Sequence, residues 1–403
     1  MRTTEPRFAF ITEGLRLGGA TTFLLNLGTE LLRLGCRVRI WTMEQESPLA
    51  KDFEERNLDV SWIARKVAIF EDRLRECLRE LSSFRPTSIV ATLGPQAFEV
   101  FRYTRGSAAK IAIIQSDDPL VYRDLRPYFQ LTDFVIGVSK EICRRLREDC
   151  GIAADKVRMI HYGIELPQHE EKPARDPARL QVLYLGRLDQ VQKRVRLLEP
   201  ISKRLRELDT NFHLTIVGDG LEREWLAKMV RRNDLSDWVE LRPALPYREI
   251  SGLFNRFDVL LLPSAFEGLP LSLLESMARG IVPVITRLPS GSEEIIHGTN
   301  GILVEAENTD GYAEAIHRLA QDRNLLETFS EEARRTITEH FSSSTMAQQW
   351  LLLDGTSENT NFDVSGLRVL PPYGCESSLR FTTFGRLLRR VKGLASQVNC
   401  RLR

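Results

Sequence analysis

The stretch DVLLLPSAFEGLPLSLLESMARGIVPVIT, residues 258–286, reads as one strand–helix–strand unit. An apolar run ends at Pro263. A turn then carries Glu267 and Gly268, and a helical segment begins near Leu269. Gly280 stops that segment before a second apolar run at 281–286. Two wholly apolar strands joined through a helix belong to a parallel sheet covered on both faces.

The pattern extends outward in both directions. QVLYLGR (181–187), HLTIVGD (213–219), WVELRP (238–243) and GILVE (301–305) belong to the same series. Helical patterns at 309–322, 324–341 and about 344–354 close it. Upstream, RFAFIT (7–12), RVRIWT (37–42), DVSWI (59–63), SIVAT (88–92), KIAIIQ (110–115), DFVIGVS (133–139) and VRMIHYG (157–163) form an earlier series. Helical periodicity separates them at 20–34, 70–84, 120–130 and 140–149. Between the two series, ELPQHEEKPARDPAR (165–179) has three prolines, many charges and no apolar period, as an interdomain linker does. The expected fold is α/β, with two facing doubly wound, Rossmann-like domains at 1–164 and 180–354. The last helix is free to return to the first domain, and 355–403 forms a tail.

Composition narrows the function. With 42% hydrophobic and 28% charged residues, the chain is neither collagen-like, nor mostly disordered, nor a polytopic membrane protein. Lys+Arg (56) and Asp+Glu (55) nearly balance, so binding of a polyanion such as nucleic acid by the whole chain is not expected. The six cysteines, at 36, 77, 143, 150, 375 and 400, contain no C-x-x-C and read as reduced thiols. The start, MRTTEPRFAF, has no basic stretch followed by an apolar one, and no run of about 18 apolar residues occurs. The expected location is the cytoplasm.

Three segments could carry chemistry. TEGLRLGGATTFLLNL places Gly14, Gly18 and Gly19 between a strand and a helix, where backbone can approach an anion. The spacing is neither G-x-G-x-x-G nor a P-loop. VLYLGRLDQVQKRVRLL brings Arg187 and Lys193 to a strand-to-helix junction, suiting a diphosphate or a solvated pair of charges. In the stretch at 258–286, Glu267 sits at a strand end and Glu275 in the following helix, with free amides between them. The alternative is a helix-favouring Glu267 and a solvated Glu275.

These motifs together resemble the family-4 retaining glycosyltransferases (glycosyl transferases group 1), which have the GT-B fold. The E-x7-E of Glu267 and Glu275 resembles the family signature. GRLDQVQKRVRLL, LTIVGDG and SGSEEIIHGTNGILV resemble its companion segments. GGATTFLLNLGTELLRLGCRVRIWT and DFVIGVSKEICRRLREDCGI…VRMIHYGIE resemble its first-domain units. The resemblance runs over about residues 7–354.

It implies metal-independent, retaining transfer of a sugar from a nucleoside diphosphate sugar to an acceptor hydroxyl on a glycan, polysaccharide or lipid-linked molecule. Arg187 and Lys193 match the pair on the donor diphosphate, and Glu267 matches the contact to the transferred sugar. Glu275 matches the carboxylate on the ribose. Leu271 and Ser272 would offer backbone N–H groups to the distal phosphate, Gly19 would approach it from the first domain, and Gly218 joins the donor-binding set. The sugar nucleotide is then substrate, and neither cofactor nor metal is implied. Neither D-x-D nor H-x-x-x-H is present, and the six histidines are scattered.

The chain departs from the family at three places. Gln115 or Ser116 stands where a histidine is common, Tyr162 replaces an asparagine, and Arg242-Pro243 replaces a glycine-bearing loop near the base. Asp117 and Asp118 follow, suited to orienting an acceptor hydroxyl or to capping the next helix. The departures keep a non-catalytic binding protein on this fold, or a sugar-nucleotide epimerase, as alternatives. A dinucleotide oxidoreductase lacks its fingerprint. In the tail, Phe384, Leu387, Leu388, Val391, Leu394 and Val398 fall on one helical stripe, and residues 384–403 hold six basic side chains and no acid. That segment suits peripheral contact with an anionic membrane face, or packing on the first domain.

Overall fold

The computed structural model describes residues 5–44, 47, 49–65, 70–167, 178–355 and 360–363. The basic segment 384–403 and most of the expected linker lie outside these residues. The first domain contributes β1 (Arg7–Thr12), β2 (Arg37–Thr42), β3 (Asp59–Trp62), β4 (Ser88–Thr92), β5 (Thr104–Gly106), β6 (Ala109–Ile114), β7 (Phe134–Gly137) and β8 (Val157–Met159). The second contributes β9 (Leu180–Leu185), β10 (Phe212–Val217), β11 (Val239–Arg242), β12 (Val259–Leu262), β13 (Val282–Thr286) and β14 (Ile302–Val304). A short β15 (Thr360–Phe362) follows.

Seven strands form the first sheet, in the order β3-β2-β1-β4-β6-β7-β8, and six form the second, in the order β11-β10-β9-β12-β13-β14. Pairing is parallel throughout both. All residues of β4, β12 and β13 are buried, which is why these strands read as unbroken apolar runs. Strand order reverses between β1 and β4 in one sheet and between β9 and β12 in the other. The crevice outside the strand ends at such a reversal is where doubly wound sheets receive ligands. The loops after β1, β9 and β12 carry the three sequence segments singled out above.

The chain crosses between domains twice, and the crossings lie side by side. Ile164 and Ser342 form an isolated parallel bridge, with Ile164 N donating to Phe341 O (2.9 Å) and Ser343 N to Ile164 O (2.8 Å). The helix Ser343–Leu351, capped by Ser342, then packs on the first-domain helix Gly19–Arg33. Its Trp350 is fully buried, with ring centroids 6.0 Å from Phe23 and 6.4 Å from Phe10. Asp354 Oδ1 accepts from Thr87 Oγ1 (2.6 Å) and Ser88 Oγ (2.8 Å) at the start of β4.

Two details differ from the sequence reading. The helix after Glu267 begins at Leu271, and Pro270 caps it from outside, so it starts two residues later than expected. Beyond 354 the sequence was read only as a tail, but β15 pairs antiparallel with β5, Phe362 opposite Thr104. A three-residue strand carries too little pattern to be read, and its partner lies over 250 residues away.

The return of the last helix makes Trp350 part of the first domain's core. Trp350→Ala should cost about 3–5 kcal/mol by chemical denaturation. Trp350→Phe should cost much less, because the indole N–H it removes has no hydrogen-bond partner among the described residues.

Candidate functional site

The turn after β9 is built around its own polar groups. Tyr184, on the strand, donates its hydroxyl to Arg187 O (2.7 Å). Asp189 Oδ1 accepts from Gln192 N (2.7 Å) and Lys193 N (3.2 Å), closing the loop. Lys193 is thereby turned inward ahead of the short helix Val195–Leu197, rather than starting a helix itself. A Cβ at Gly218 would lie 1.9 Å from Gly186 O, so the loop after β10 packs backbone against this turn.

Across from it, the turn after β12 presents Glu267. Lys193 Nζ meets Glu267 Oε1 at 2.5 Å, with only 11% and 9% of the two side chains exposed. Gln192 Nε2 donates to the other carboxylate oxygen (3.2 Å) and to Phe266 O (3.3 Å). Gln192 Oε1 accepts from Arg187, whose guanidinium also lies 3.6 Å from Asp189 and is more than half exposed. Arg187, Lys193 and Glu267 thus form one group. The sequence reading missed the two residues that brace it, Asp189 and Gln192. Their signal was present, an aspartate three residues ahead of an amide in a turn.

The first domain closes over this group. A Cβ on Gly19, the first residue of its helix, would come 3.7 Å from Leu271, the first residue of the helix after Glu267. The leading amides of both helices, those of Leu271 and Ser272 among them, have no intrahelical acceptor. A Cβ on Gly268 would lie 2.2 Å from Gln115 O, so no other residue fits where the loops after β12 and β6 meet. Gln115 and Tyr162, two of the positions at which the sequence departs from the family pattern, are neighbours here. Gln115 Oε1 accepts from Thr92 Oγ1 (2.8 Å), while its Nε2 is buried and has no hydrogen-bond partner among the described residues. Burial pushes the Tyr162 hydroxyl well up, and adjacent Gln115 opposes that.

Glu275 stands apart from the Lys193–Glu267 pair. It lines an interdomain cavity of about 850 Å³ with Arg56, Tyr247, Phe254 and Arg279. No hydrogen-bond donor among the described residues reaches its carboxylate. Burial raises its pKa to about 7, against the opposing charge of Arg279. A second cavity, about 730 Å³, lies where residues 15–17 and Glu44 face Pro246 and Arg248.

Asp117 and Asp118 are engaged structurally. Asp118 caps the helix Pro119–Phe129, accepting from Leu120 N at 2.9 Å. Asp117 accepts from the Tyr122 hydroxyl (2.9 Å) and pairs with Arg145 (3.1 Å). Capping, the second of the two roles open to them in the sequence, is the one Asp118 fills. Among the described residues no group of three metal-ligating side chains occurs, and no helix is long and apolar enough to cross a membrane.

With this geometry in place, comparison with known proteins is informative. The family Glycosyltransferase Family 4 matches residues 17–168, and Glycosyl transferases group 1 matches residues 167–336. The putative colanic acid biosynthesis glycosyltransferase WcaL of Escherichia coli K12 is 25% identical over 315 residues, 73% of this chain and 74% of that protein. A Mycobacterium tuberculosis glycogen synthase is 27% identical over 219 residues, but the match spans about half of each chain (54% and 52%). Among solved structures, a TarM variant from S. aureus in complex with fondaparinux, α-GlcNAc-glycerol and UDP superimposes with a TM-score of 0.73. It is 15% identical, over 86% of this chain and 99% of that one. Anabaena HepE in complex with UDP and glucose gives a TM-score of 0.69 at 16% identity, over 86% and 98%. At such identities the likeness is one of fold.

The state of Glu275 can be tested without substrate. Between about pH 4.5 and 7 the folded chain keeps a proton that the unfolded chain releases, so this group lowers stability as pH rises through that window. The full cost above pH 7 is roughly 3 kcal/mol. Glu275→Gln should match wild type near pH 4.5 and exceed it by about that amount at pH 8 in urea titrations. A difference that does not change with pH would contradict this.

Proposed function

The chain belongs to the glycosyl transferases group 1 family, and from that premise we propose that it moves a sugar from a nucleoside diphosphate sugar to an acceptor hydroxyl, with retention at the anomeric carbon. The observation that carries the reading is the buried Lys193–Glu267 pair, with Arg187 beside it, at the strand ends of the second sheet and under the first domain's Gly19. Two relatives of the fold were solved with UDP, one together with glucose. The name of WcaL, a putative glycosyltransferase of colanic acid biosynthesis, supports a polysaccharide acceptor.

In this reading the diphosphate lies over Arg187 and Lys193, and its distal phosphate meets the amides of Leu271 and Ser272. Gly19 approaches from the other domain, and Gly218 borders the same turn. Binding gives Lys193 a second anion, and Glu267 turns its oxygens toward hydroxyls of the transferred sugar. Glu275 accepts the ribose hydroxyls, the partners its carboxylate lacks in the absence of ligand. As the sugar–phosphate bond breaks, negative charge grows on the leaving oxygen. Fixed cations and amides aimed there stabilise it, the service a metal ion gives elsewhere. The leaving phosphate takes the proton of the acceptor hydroxyl, which attacks from the same face, so no protein nucleophile is needed. Domain closure excludes water from the reacting bond.

Arg187→Ala and Lys193→Ala should each lower turnover on the order of 10²-fold or more. Glu275→Ala should chiefly weaken binding of the nucleoside diphosphate. Steady-state kinetics and titration calorimetry measure both, and wild-type behaviour in all three variants would overturn the assignment. A chain that binds sugar nucleotides but turns over none would be the binding protein instead. Activity should also survive excess EDTA. Strict restoration by Mg²⁺ or Mn²⁺ would contradict stabilisation of the leaving group by Arg187, Lys193 and the helix amides.

A further inference from the structure

The loop that carries Glu267 is gripped from outside its own domain. Ser290, only 2% exposed, donates its hydroxyl to Gly268 O at 3.0 Å, one residue beyond Glu267. Ser290 Oγ also lies 2.8 Å from Ser139 Oγ in the first domain. Ser139 Oγ in turn accepts from Ile142 N (3.3 Å), capping the helix Lys140–Glu148. A hydroxyl has one proton. The proton of Ser290 goes to Gly268, so Ser139 donates to Ser290 while accepting from Ile142. The hydrogen bonds therefore run in one sense, from a first-domain helix across the gap to the carbonyl beside Glu267.

A carboxylate braces this run on the next turn. Glu294, with its side chain 7% exposed, accepts from Lys140 N through Oε1 (2.6 Å) and meets His161 Nε2 through Oε2 (3.0 Å). Both partners belong to the first domain. Lys140 N is one of the leading amides of its helix, which have no intrahelical acceptor, and a carboxylate is favoured there.

We propose that Ser139 and Ser290, braced by Glu294, form an interdomain clasp that sets the position of Glu267, so that domain closure and placement of this carboxylate on the transferred sugar are one event. The proposal rests on the reading of Glu267 as a donor-sugar contact. Ser139, Ser290 and Glu294 are positioning residues. They touch no substrate and act through Gly268. Arg187, Lys193 and Glu275, the side chains assigned to the nucleotide, all lie in the second domain, and Gly19 offers it only backbone, so nucleotide affinity depends little on the clasp. Loss of the clasp should therefore appear in kcat and leave nucleotide affinity alone.

The test uses the full chain carrying Ser290→Ala, Ser139→Ala and the two together. UDP, GDP and ADP are titrated for affinity, sugar transfer or donor hydrolysis gives kcat, and melting temperature checks the fold. Each single change should lower kcat about tenfold, with the dissociation constant within about twofold. The double change should lower it no further, because both singles break the same run. Ser139→Ala also removes a helix cap, so its melting point falls more. Glu294→Gln is the second arm, should Ser290→Ala not fold. It keeps the size and weakens the brace, and should lower kcat about twofold to fivefold at unchanged affinity. Unchanged kcat in Ser290→Ala, losses that multiply in the double variant, affinity that falls in step with kcat, or unchanged kcat in Glu294→Gln would each overturn the clasp. Failure of the wild-type chain to bind any nucleoside diphosphate would instead remove the donor-site reading beneath it.

Discussion

A lysine and a glutamate buried together hold the centre of this molecule. Lys193 and Glu267 come from turns 74 residues apart, and each is too far from water to be charged alone at low cost. Their pairing fixes the turn after β9 against the turn after β12, at the point where strand order reverses. Everything nearby serves that contact. Asp189 closes the first turn, Gln192 ties Arg187 to Glu267, and backbone contacts at Gly218 and Gly268 bring neighbouring loops within reach. A buried ion pair is weak evidence for stability and better evidence for a site, since an apolar pair would fill the space more cheaply.

The two-domain plan puts that pair to use. Each sheet alone offers one row of strand ends, and only their apposition makes a cleft. The paired crossings at Ile164 and Ser342 join the two domains side by side, and the last helix belongs to the first domain's core through Trp350. The seam itself is polar, joined by Tyr247 to Asn26 (3.1 Å), Arg248 to Asp52 (3.5 Å) and Ser139 to Ser290. Polar seams of this kind open and close at small cost.

The fold was legible in the sequence because its strands are buried on both faces and announce themselves as apolar runs. Arg187, Lys193 and Glu267 were picked out together only through the resemblance to the family; read alone, each segment was equally open to a structural role. What stayed hidden depends on distant parts of the chain. Nothing local marks Ser290 as a partner of Ser139, 151 residues away, or Gln115 as a neighbour of Tyr162. The pairing of β15 with β5 is likewise a contact between segments too short to carry a period. Glu275 was read correctly as a helix residue, yet its burial, with no hydrogen-bond donor among the described residues reaching its carboxylate, follows from packing that one helix does not reveal.

The central claim is that sugar nucleotide binds between the two rows of strand ends, against the Lys193–Glu267 pair. Hydrogen exchange of the full chain, with and without a nucleoside diphosphate sugar, tests it most directly. Slowed exchange should concentrate in residues 14–20, 186–194 and 265–277, which lie in both domains. Slowing confined to one domain, or absent from 186–194 and 265–277, would contradict the account.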